Sequence, residues 1–186
     1  DRSPSRGLGD VYKRQVIYRT LDRGAQGIAV PHVNTKAEAE NVVQGGKFAP
    51  IGQRGLFVSR QGYDVENYLE VANDQTLLMV LIEDIVAVQN LDEILSVDHI
   101  DVFFVGPSDL SQSMGHPGQY DEPSVAAAID STFKKTLAAG KVAGTPANAD
   151  KVRATLARGV LYMYTHVTKL LGAAVDGYFD AAGRQS

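Results

Sequence analysis

Residues 77–115, LLMVLIEDIVAVQNLDEILSVDHIDVFFVGPSDLSQSMG, decide the fold of this chain. Two short apolar runs flank a segment with helical periodicity, which is typical of two buried parallel strands joined by a helix. Glu83 closes the first run, and Asp109 follows the second. Because parallel strands end at the same edge of a sheet, the pattern predicts neighbouring carboxylates there. Such oxygen ligands suit a hard divalent cation.

The rest of the chain repeats this alternation of strand and helix. The pattern predicts five strands, at residues 27–33, 76–83, 100–106, 141–147 and 160–167. It predicts helices at residues 16–23, 36–44, 64–72, 85–95, 123–139, 149–158 and 168–181. Alternation of this kind, without hairpin signals, indicates an α/β fold with a parallel sheet and right-handed crossovers.

The strand ends favour a barrel over a doubly wound open sheet. No G-x-G-x-x-G fingerprint follows a strand, as a dinucleotide-binding fold would require. Functional residue types instead recur at the strand ends, at residues 31–32, 83, 106–109 and 145–146. A (β/α)8 TIM barrel places its site residues there and takes about 250 residues in eight units. Residues 16–186 are therefore predicted to form a single partial barrel domain of about five C-terminal βα units, with roughly three units lying on the N-terminal side.

Residues 1–15, DRSPSRGLGDVYKRQ, show neither helical nor strand periodicity. One interpretation is a disordered native arm, which is common at chain ends. The other is a non-native leader that should be left out of the fold. The abrupt start of a regular helix-then-strand unit after residue 15 favours the non-native leader.

Composition excludes several classes of protein. The chain has 186 residues, a net charge of -4 and no cysteine. An acidic chain without a basic patch is not expected to bind nucleic acid. The absence of cysteine excludes disulfides and thiolate chemistry, and it is consistent with the cytoplasmic location that we expect. No apolar run approaches the roughly 18–20 residues needed to cross a membrane.

Several segments, in order, resemble the HpcH/HpaI class II pyruvate aldolases of the phosphoenolpyruvate/pyruvate-type barrel superfamily, beside the citrate lyase β-subunit relatives. They are GAQGIAVPHVNTKAEAENVV, the IGQRG loop, and MVLIED through IDVFFVGPSDLSQSMG. The spacing of Glu83 and Asp109 also matches that of the family's metal-binding acids. The resemblance implies a barrel, a divalent metal (Mg2+, Mn2+ or Co2+) and a homo-oligomer, commonly a hexamer with a barrel helix exchanged between partners. It implies cleavage of a 4-hydroxy-2-oxo acid to pyruvate and an aldehyde through a metal-stabilised enolate.

Site residues follow from the same resemblance. Glu83 and Asp109 would bind the metal, while the turn Gly106, Pro107, Ser108 and Asp109 would hold the substrate carboxylate through backbone N–H groups. Each acid also has a structural alternative: Glu83 as an acid at the start of the next helix, and Asp109 as a helix N-cap.

Two further residues are weaker candidates for substrate contact. Arg54 could bind a carboxylate or anchor its loop to backbone carbonyls. His32 is expected to line the barrel mouth. No catalytic residue is assigned, because the family's general base belongs to an early barrel unit that we expect to lie upstream of this sequence.

Two alternatives to the aldolase stay open. A related lyase could act on an acyl-CoA thioester of the malyl- or citramalyl-CoA type. Its phosphates would call for a basic patch, and the only adjacent lysine pair, Lys134 and Lys135, falls mid-helix on the expected outer surface. The chain could also be an inactive barrel fragment that lacks the general base.

Overall fold

The structure, a computed structural model, describes residues 6–56 and 60–183. Its five strands form one sheet in the order β1-β2-β3-β4-β5, and each neighbouring pair is parallel. The strands are β1 (Gly27–Val30), β2 (Leu77–Ile82), β3 (Val102–Val105), β4 (Val142–Pro146) and β5 (Tyr162–Tyr164). Sequential order with parallel pairing is the arrangement of a barrel wall, so the sheet is a half-barrel.

Nine helices accompany the strands in the described ranges. They are α1 (Arg6–Asp22), α2 (Lys36–Gly46), α3 (Tyr68–Gln75), α4 (Ile85–Gln89), α5 (Leu91–Leu95), α6 (Pro107–Ser113), α7 (Pro123–Ala138), α8 (Val152–Ala157) and α9 (Val167–Ala181). All five predicted strands and all seven predicted helices have counterparts among these elements. The α/β half-barrel prediction is thereby confirmed, whereas the eight-unit count of a complete barrel stays a prediction.

Apart from shifts at helix ends, such as α3 beginning at Tyr68 instead of residue 64, three helices differ from the sequence prediction. The helix predicted at residues 85–95 is divided at Asn90, whose side chain donates to the carbonyl of Asn34 at 2.8 Å. Helix α6 is not among the predicted helices; it begins at Pro107, whose fixed φ suits the first helical position. Helix α1 begins at Arg6, so residues 6–15 are helical, although no regular structure was predicted there. Residues 1–5 lie outside the described ranges, and the non-native origin of residues 1–15 stays a prediction.

Side chains alternate between the two faces of the sheet. Leu78, Val80 and Ile82 of β2 point toward the helices and join the main core. Met79, from the same strand, packs with Val102 and Phe104 on the opposite, inner face. Helices cover one face of the strands, and the inner face is also apolar, so the strand sequences are nearly continuous apolar runs. Polar and charged residues are therefore found mainly at the ends of the strands.

Candidate active site

The carboxyl ends of β1, β2 and β3 bring three predicted site residues together. Residues Ile82 and Val105 are paired across β2 and β3, so the residues that follow them, Glu83 and Gly106, lie side by side. His32 follows the end of neighbouring β1, and its backbone N–H donates to Oε1 of Glu83 at 2.9 Å. The structure thus brings Glu83, Gly106 and His32 together at one edge of the sheet, and Asp109 is near enough for its charge to act on both Glu83 and His32.

Glu83 is held tightly for an acid at a strand end. Its side chain is only 3% exposed. A Cβ placed on Gly106 would lie 2.9 Å from Oε2 of Glu83 and 3.0 Å from its Cβ, so only glycine leaves room for the carboxylate in this position. One oxygen is thus fixed by the His32 N–H, and the other lies over the Gly106 backbone.

The environment of Glu83 disfavours its charge. Burial raises the pKa of its carboxyl above the ordinary 4.5, and the nearby charges of Asp109 and Asp84 add to the increase. The N–H and the charge of His32 act in the opposite direction. Burial outweighs these two effects, so the protein surroundings only partly neutralise the negative charge of Glu83. A cation placed between Glu83 and Asp109 would relieve that deficit.

His32 adopts a left-handed conformation with φ at 52°. This conformation directs its N–H toward Glu83 and its ring toward Asp84, with Nδ1 2.9 Å from Oδ2 of Asp84. The hydrogen bond to Asp84 raises the pKa of His32 above 6.5; burial opposes this increase, and the charges of Glu83, Asp84 and Asp109 add to it. The imidazole is 59% exposed. His32 therefore lies at the open end of this group, and its part in substrate contact stays a prediction.

Asp109 lies in the first turn of α6 and is exposed. The N-cap position of this helix belongs to Gly106, so Asp109 is not the N-cap residue. The backbone N–H groups of Ser108 and Asp109 have no acceptor among the described residues, as is usual for a first helical turn. The Ser108 hydroxyl is 3.1 Å from the hydroxyl of Tyr120. Free N–H groups beside a carboxylate can bind an anion there together with a cation.

The donor set suits a hard cation with open coordination positions. Ions such as Mg2+ take one or two protein carboxylates and keep their other positions for water and substrate. Glu83 and Asp109 supply that number. No group of three or more His, Asp or Glu side chains suited to a metal occurs within residues 6–56 and 60–183, so the protein alone does not form a closed metal cage.

Arg54 does not join this group. Its guanidinium bonds Asp22 at 2.8 Å and lies 4.6 Å from the centre of the Phe48 ring. Asp22 ends α1 just before β1, and Phe48 follows α2, so these contacts lie at the amino end of the sheet. The side chain is fully buried. Arg54 therefore anchors its loop, through an acid and a ring rather than through the carbonyls considered from the sequence, and it is removed from the substrate-binding set.

The sequence model of the family described as "HpcH/HpaI aldolase/citrate lyase" matches residues 6–164. The chain belongs to this family. Among curated proteins, it is 42% identical over 147 residues to a 2-keto-3-deoxy-L-rhamnonate aldolase of Klebsiella pneumoniae, covering 74% of this chain and 55% of the relative. It is 39% identical over 170 residues to the protein of that name in Escherichia coli K12, covering 88% of this chain and 63% of the relative. The chain thus spans somewhat more than half the length of these relatives.

Solved structures of the HpcH/HpaI family share the half-barrel. An HpcH/HpaI aldolase/citrate lyase family protein from Burkholderia cenocepacia superposes with a TM-score of 0.85 at 26% identity, covering 92% of this chain and 70% of that one. An HpcH/HpaI aldolase from Desulfitobacterium hafniense gives 0.79 at 27% identity, covering 93% and 70%. The family resemblance deduced from the sequence is confirmed by these matches.

Two participants in the site were not identified from the sequence. Asp84 occupies the N-cap of α4 but makes no capping bond, because its carboxylate bonds His32 instead. Tyr120 lies in the loop before α7, and no sequence pattern links it to Ser108. For Asp84, the available sequence signal was the pair Pro31 and His32 at a strand end, because His32 is the hydrogen-bond partner of Asp84.

The lysine pair considered for an acyl-CoA site has the expected location. Lys134 and Lys135 are exposed on α7, and Lys135 bonds Asp92 of α5 at 2.8 Å on the outer surface. Within the described ranges, none of the helices is long and apolar enough to cross a membrane.

Proposed function

We propose that this chain carries the metal-binding and pyruvate-binding part of an aldolase that cleaves a 4-hydroxy-2-oxo acid into pyruvate and an aldehyde. The pairing of buried Glu83 with Asp109 at adjacent strand ends carries this proposal, because it offers two carboxylates to a cation that pyruvate can also chelate. The names of the curated relatives, which are aldolases, support it.

The reaction breaks the bond between C3 and C4 of the substrate. The proton of the C4 hydroxyl is removed, the C4 oxygen becomes the aldehyde carbonyl, and the bonding electrons pass to C3 as the enolate of pyruvate. A divalent cation, Mg2+, Mn2+ or Co2+, would be held by Glu83 and Asp109 and supplies, when bound, Lewis-acid stabilisation of that negative charge. No described residue is assigned as the base that takes the proton.

The chain's own residues orient the pyruvate half of the substrate. The N–H groups of Ser108 and Asp109 would donate to the substrate carboxylate at the start of α6. The His32 N–H keeps the Glu83 carboxylate in one orientation, and Gly106 leaves the space in which it lies. These contacts fix the acid before the substrate arrives, so little reorganisation is needed during the reaction.

The relatives' name suggests a substrate class. A 2-keto-3-deoxy sugar acid has its ketone at C2 and, because C3 is deoxygenated, its first hydroxyl at C4, so it is a 4-hydroxy-2-oxo acid. The 42% and 39% identity to proteins named 2-keto-3-deoxy-L-rhamnonate aldolase favours this class for the present chain. The aldehyde product would then be a small hydroxyaldehyde.

A homo-oligomer is part of the same proposal. Helix α9 contains no buried residue, and Val167, Leu171, Val175 and Tyr178 recur along it at helical spacing. An apolar stripe on an exposed helix is typical of an interaction surface. A second copy of the chain is the partner that the family resemblance implies.

Titration with Mn2+ and pyruvate tests the proposal. Isothermal calorimetry of the intact chain should show Mn2+ binding, and pyruvate binding that depends on Mn2+. Glu83→Gln and Asp109→Asn should each weaken Mn2+ binding by about tenfold or more, since each removes a charged ligand. Lys135→Gln, on the outer surface, serves as the control. If both acid substitutions leave Mn2+ affinity unchanged, the metal site lies elsewhere. Release of pyruvate from 2-keto-3-deoxy-L-rhamnonate, followed with lactate dehydrogenase, tests the substrate class separately.

A further inference from the structure

A cavity of about 280 Å³ lies at the carboxyl ends of β3, β4 and β5. Its walls come from the start of α6, from α7 and α8, and from the start of α9. Thr145 lines the cavity and comes two residues after Ala143, which faces the helical core, so both side chains lie on the same face of β4. The Thr145 hydroxyl donates to the carbonyl of Val105. The cavity therefore lies on the helical side of the sheet, in contrast to the apolar inner face.

The charges around this cavity are of one sign. Lys151, Arg158, Lys169 and His166 line it, and no Asp or Glu does. This is unexpected for a chain with a net charge of -4. Within residues 6–56 and 60–183, no acid forms an ion pair with Lys151 or Lys169. Asp130 pairs with Arg158 outside the lining, so Lys151 and Lys169 supply the unpaired positive charge that attracts an anion.

Arg158 is held in place beside the two lysines. Its guanidinium lies 4.8 Å from the centre of the buried Phe133 ring and bonds Asp130. A guanidinium fixed in this way offers donors in a planar fork, the geometry that binds phosphate oxygens. Lysine ammonium groups act as point charges that add to such a site without restricting orientation.

Neutral hydrogen-bonding groups complete the lining. Thr155 and Thr165 add hydroxyls, and Asn148 adds an amide whose Oδ1 is 3.4 Å from the Thr165 hydroxyl. Hydroxyls and amides can donate to oxygens that the cations do not reach. The size is also informative, because ligand pockets for drug-sized molecules run from about 300 to 1,000 Å³. The cavity therefore suits a small molecule rather than a nucleotide.

We propose that this cavity, lined by Lys151, Arg158 and Lys169, binds the phosphate group of a small phosphorylated metabolite. A phosphate carries close to two negative charges at neutral pH and three strong acceptor oxygens, which match several cations and donors better than a single carboxylate would. The cavity is bordered by Pro107 and Ser108 at the start of α6, but its lining includes neither Glu83 nor Asp109, and it needs no metal.

Calorimetric titration of the intact chain in the presence of a chelator tests this site. The probes are glycerol 3-phosphate, inorganic phosphate and acetate. Saturable binding of both phosphates, with acetate much weaker, is expected. Tighter binding of glycerol 3-phosphate identifies a phosphorylated metabolite as the ligand, whereas inorganic phosphate binding more tightly, or acetate binding equally well, overturns that assignment.

Matched double variants locate the binding. Lys151→Gln with Lys169→Gln should weaken glycerol 3-phosphate binding by about tenfold or more, since two charge-assisted contacts are lost. Lys134→Gln with Lys135→Gln makes the same change in net charge on exposed α7 positions and should leave affinity unchanged. Equal losses of affinity in the two double variants would show that only the net charge of the chain matters, and would overturn the site. Glu83→Gln should not affect phosphate binding, so failure here is distinguishable from failure of the proposed metal site.

Discussion

The backbone N–H of His32 donates to Oε1 of Glu83 at 2.9 Å, while Nδ1 of the His32 imidazole lies 2.9 Å from Oδ2 of Asp84 and 3.5 Å from Oε1 of Glu83. The hydrogen bond that orients the acid is a main-chain contact, made possible by the positive φ of His32, and the ring adds a longer ionic contact. Residue 32 thus acts on the site in two separable ways, through its backbone conformation and through its ring.

Substitutions at residue 32 should separate these two effects. Glycine adopts a φ near 52° without strain, so His32→Gly should keep the N–H bond to Glu83 and retain Mn2+ affinity within about twofold. His32→Ala keeps the strain of a Cβ in the left-handed region, roughly 1–2 kcal/mol, but loses the bond to Asp84 that helps to hold residue 32 there, so it should bind Mn2+ more weakly than His32→Gly. Paramagnetic resonance of free Mn2+ measures both affinities. Equal losses in the two variants would show that the imidazole, not the backbone, supports Glu83.

Gly106→Ala should damage the site sterically. The added Cβ would lie 2.9 Å from Oε2 and 3.0 Å from Cβ of Glu83, so the carboxylate must move. Gly106 has a φ of -97°, which alanine accepts, so the backbone itself is not strained. We expect Mn2+ affinity to fall by about tenfold, the equivalent of roughly 1.4 kcal/mol.

Gly172→Ala is the matched control for that substitution. A Cβ on Gly172, in α9, meets no atom within 4 Å. This control should keep full Mn2+ affinity and gain up to about 1 kcal/mol of helix stability. Wild-type affinity in Gly106→Ala would mean that Glu83 does not occupy the position over Gly106 when it binds metal.

Lys47 should produce a pH dependence of stability. Its side chain is 5% exposed and donates to the carbonyls of Asn73 and Thr76 at 2.6 Å each. Burial lowers the pKa of its ammonium below 10.5, against the smaller opposing charges of Asp101 and Asp74. Between the lowered folded pKa and 10.5, the unfolded chain binds more protons than the folded chain. The contribution of Lys47 to the free energy of unfolding therefore increases as pH rises through that window.

Urea unfolding at several pH values measures this contribution. Lys47→Met should lose about 1–3 kcal/mol at neutral pH, because two buried carbonyls lose their donor. The difference in free energy of unfolding between wild type and Lys47→Met should widen as pH rises toward 10.5. The same substitution at exposed Lys134 provides the baseline. A difference that narrows with rising pH would contradict the lowered pKa.

The sequence predicted the parts of the site that depend on strand ends. Glu83 and Asp109 follow apolar runs whose burial is readable from composition, and parallel strands carry both to one edge of the sheet. The role of Arg54 was ambiguous because a loop has no hydrophobic periodicity that would indicate which end of the sheet the side chain faces. Its partners, Asp22 and Phe48, are not linked to Arg54 by any sequence pattern. The left-handed φ of His32 was also unreadable, because only a few per cent of non-glycine residues adopt it.

Helix α9 should govern assembly. Leu171 is 63% exposed and Tyr178 is 73% exposed, on a helix with no buried residue. Burying such side chains against a second copy would stabilise an oligomer by about 1.5–3 kcal/mol for each fully buried residue. Leu171→Glu combined with Val175→Glu should therefore shift the chain toward monomer, measured by light scattering during size-exclusion chromatography. Lys169→Glu with Asp176→Lys changes charges on the same helix without removing apolar surface, and it should leave assembly largely intact. If the glutamate pair leaves the mass unchanged while circular dichroism shows a folded chain, the oligomer forms through another surface.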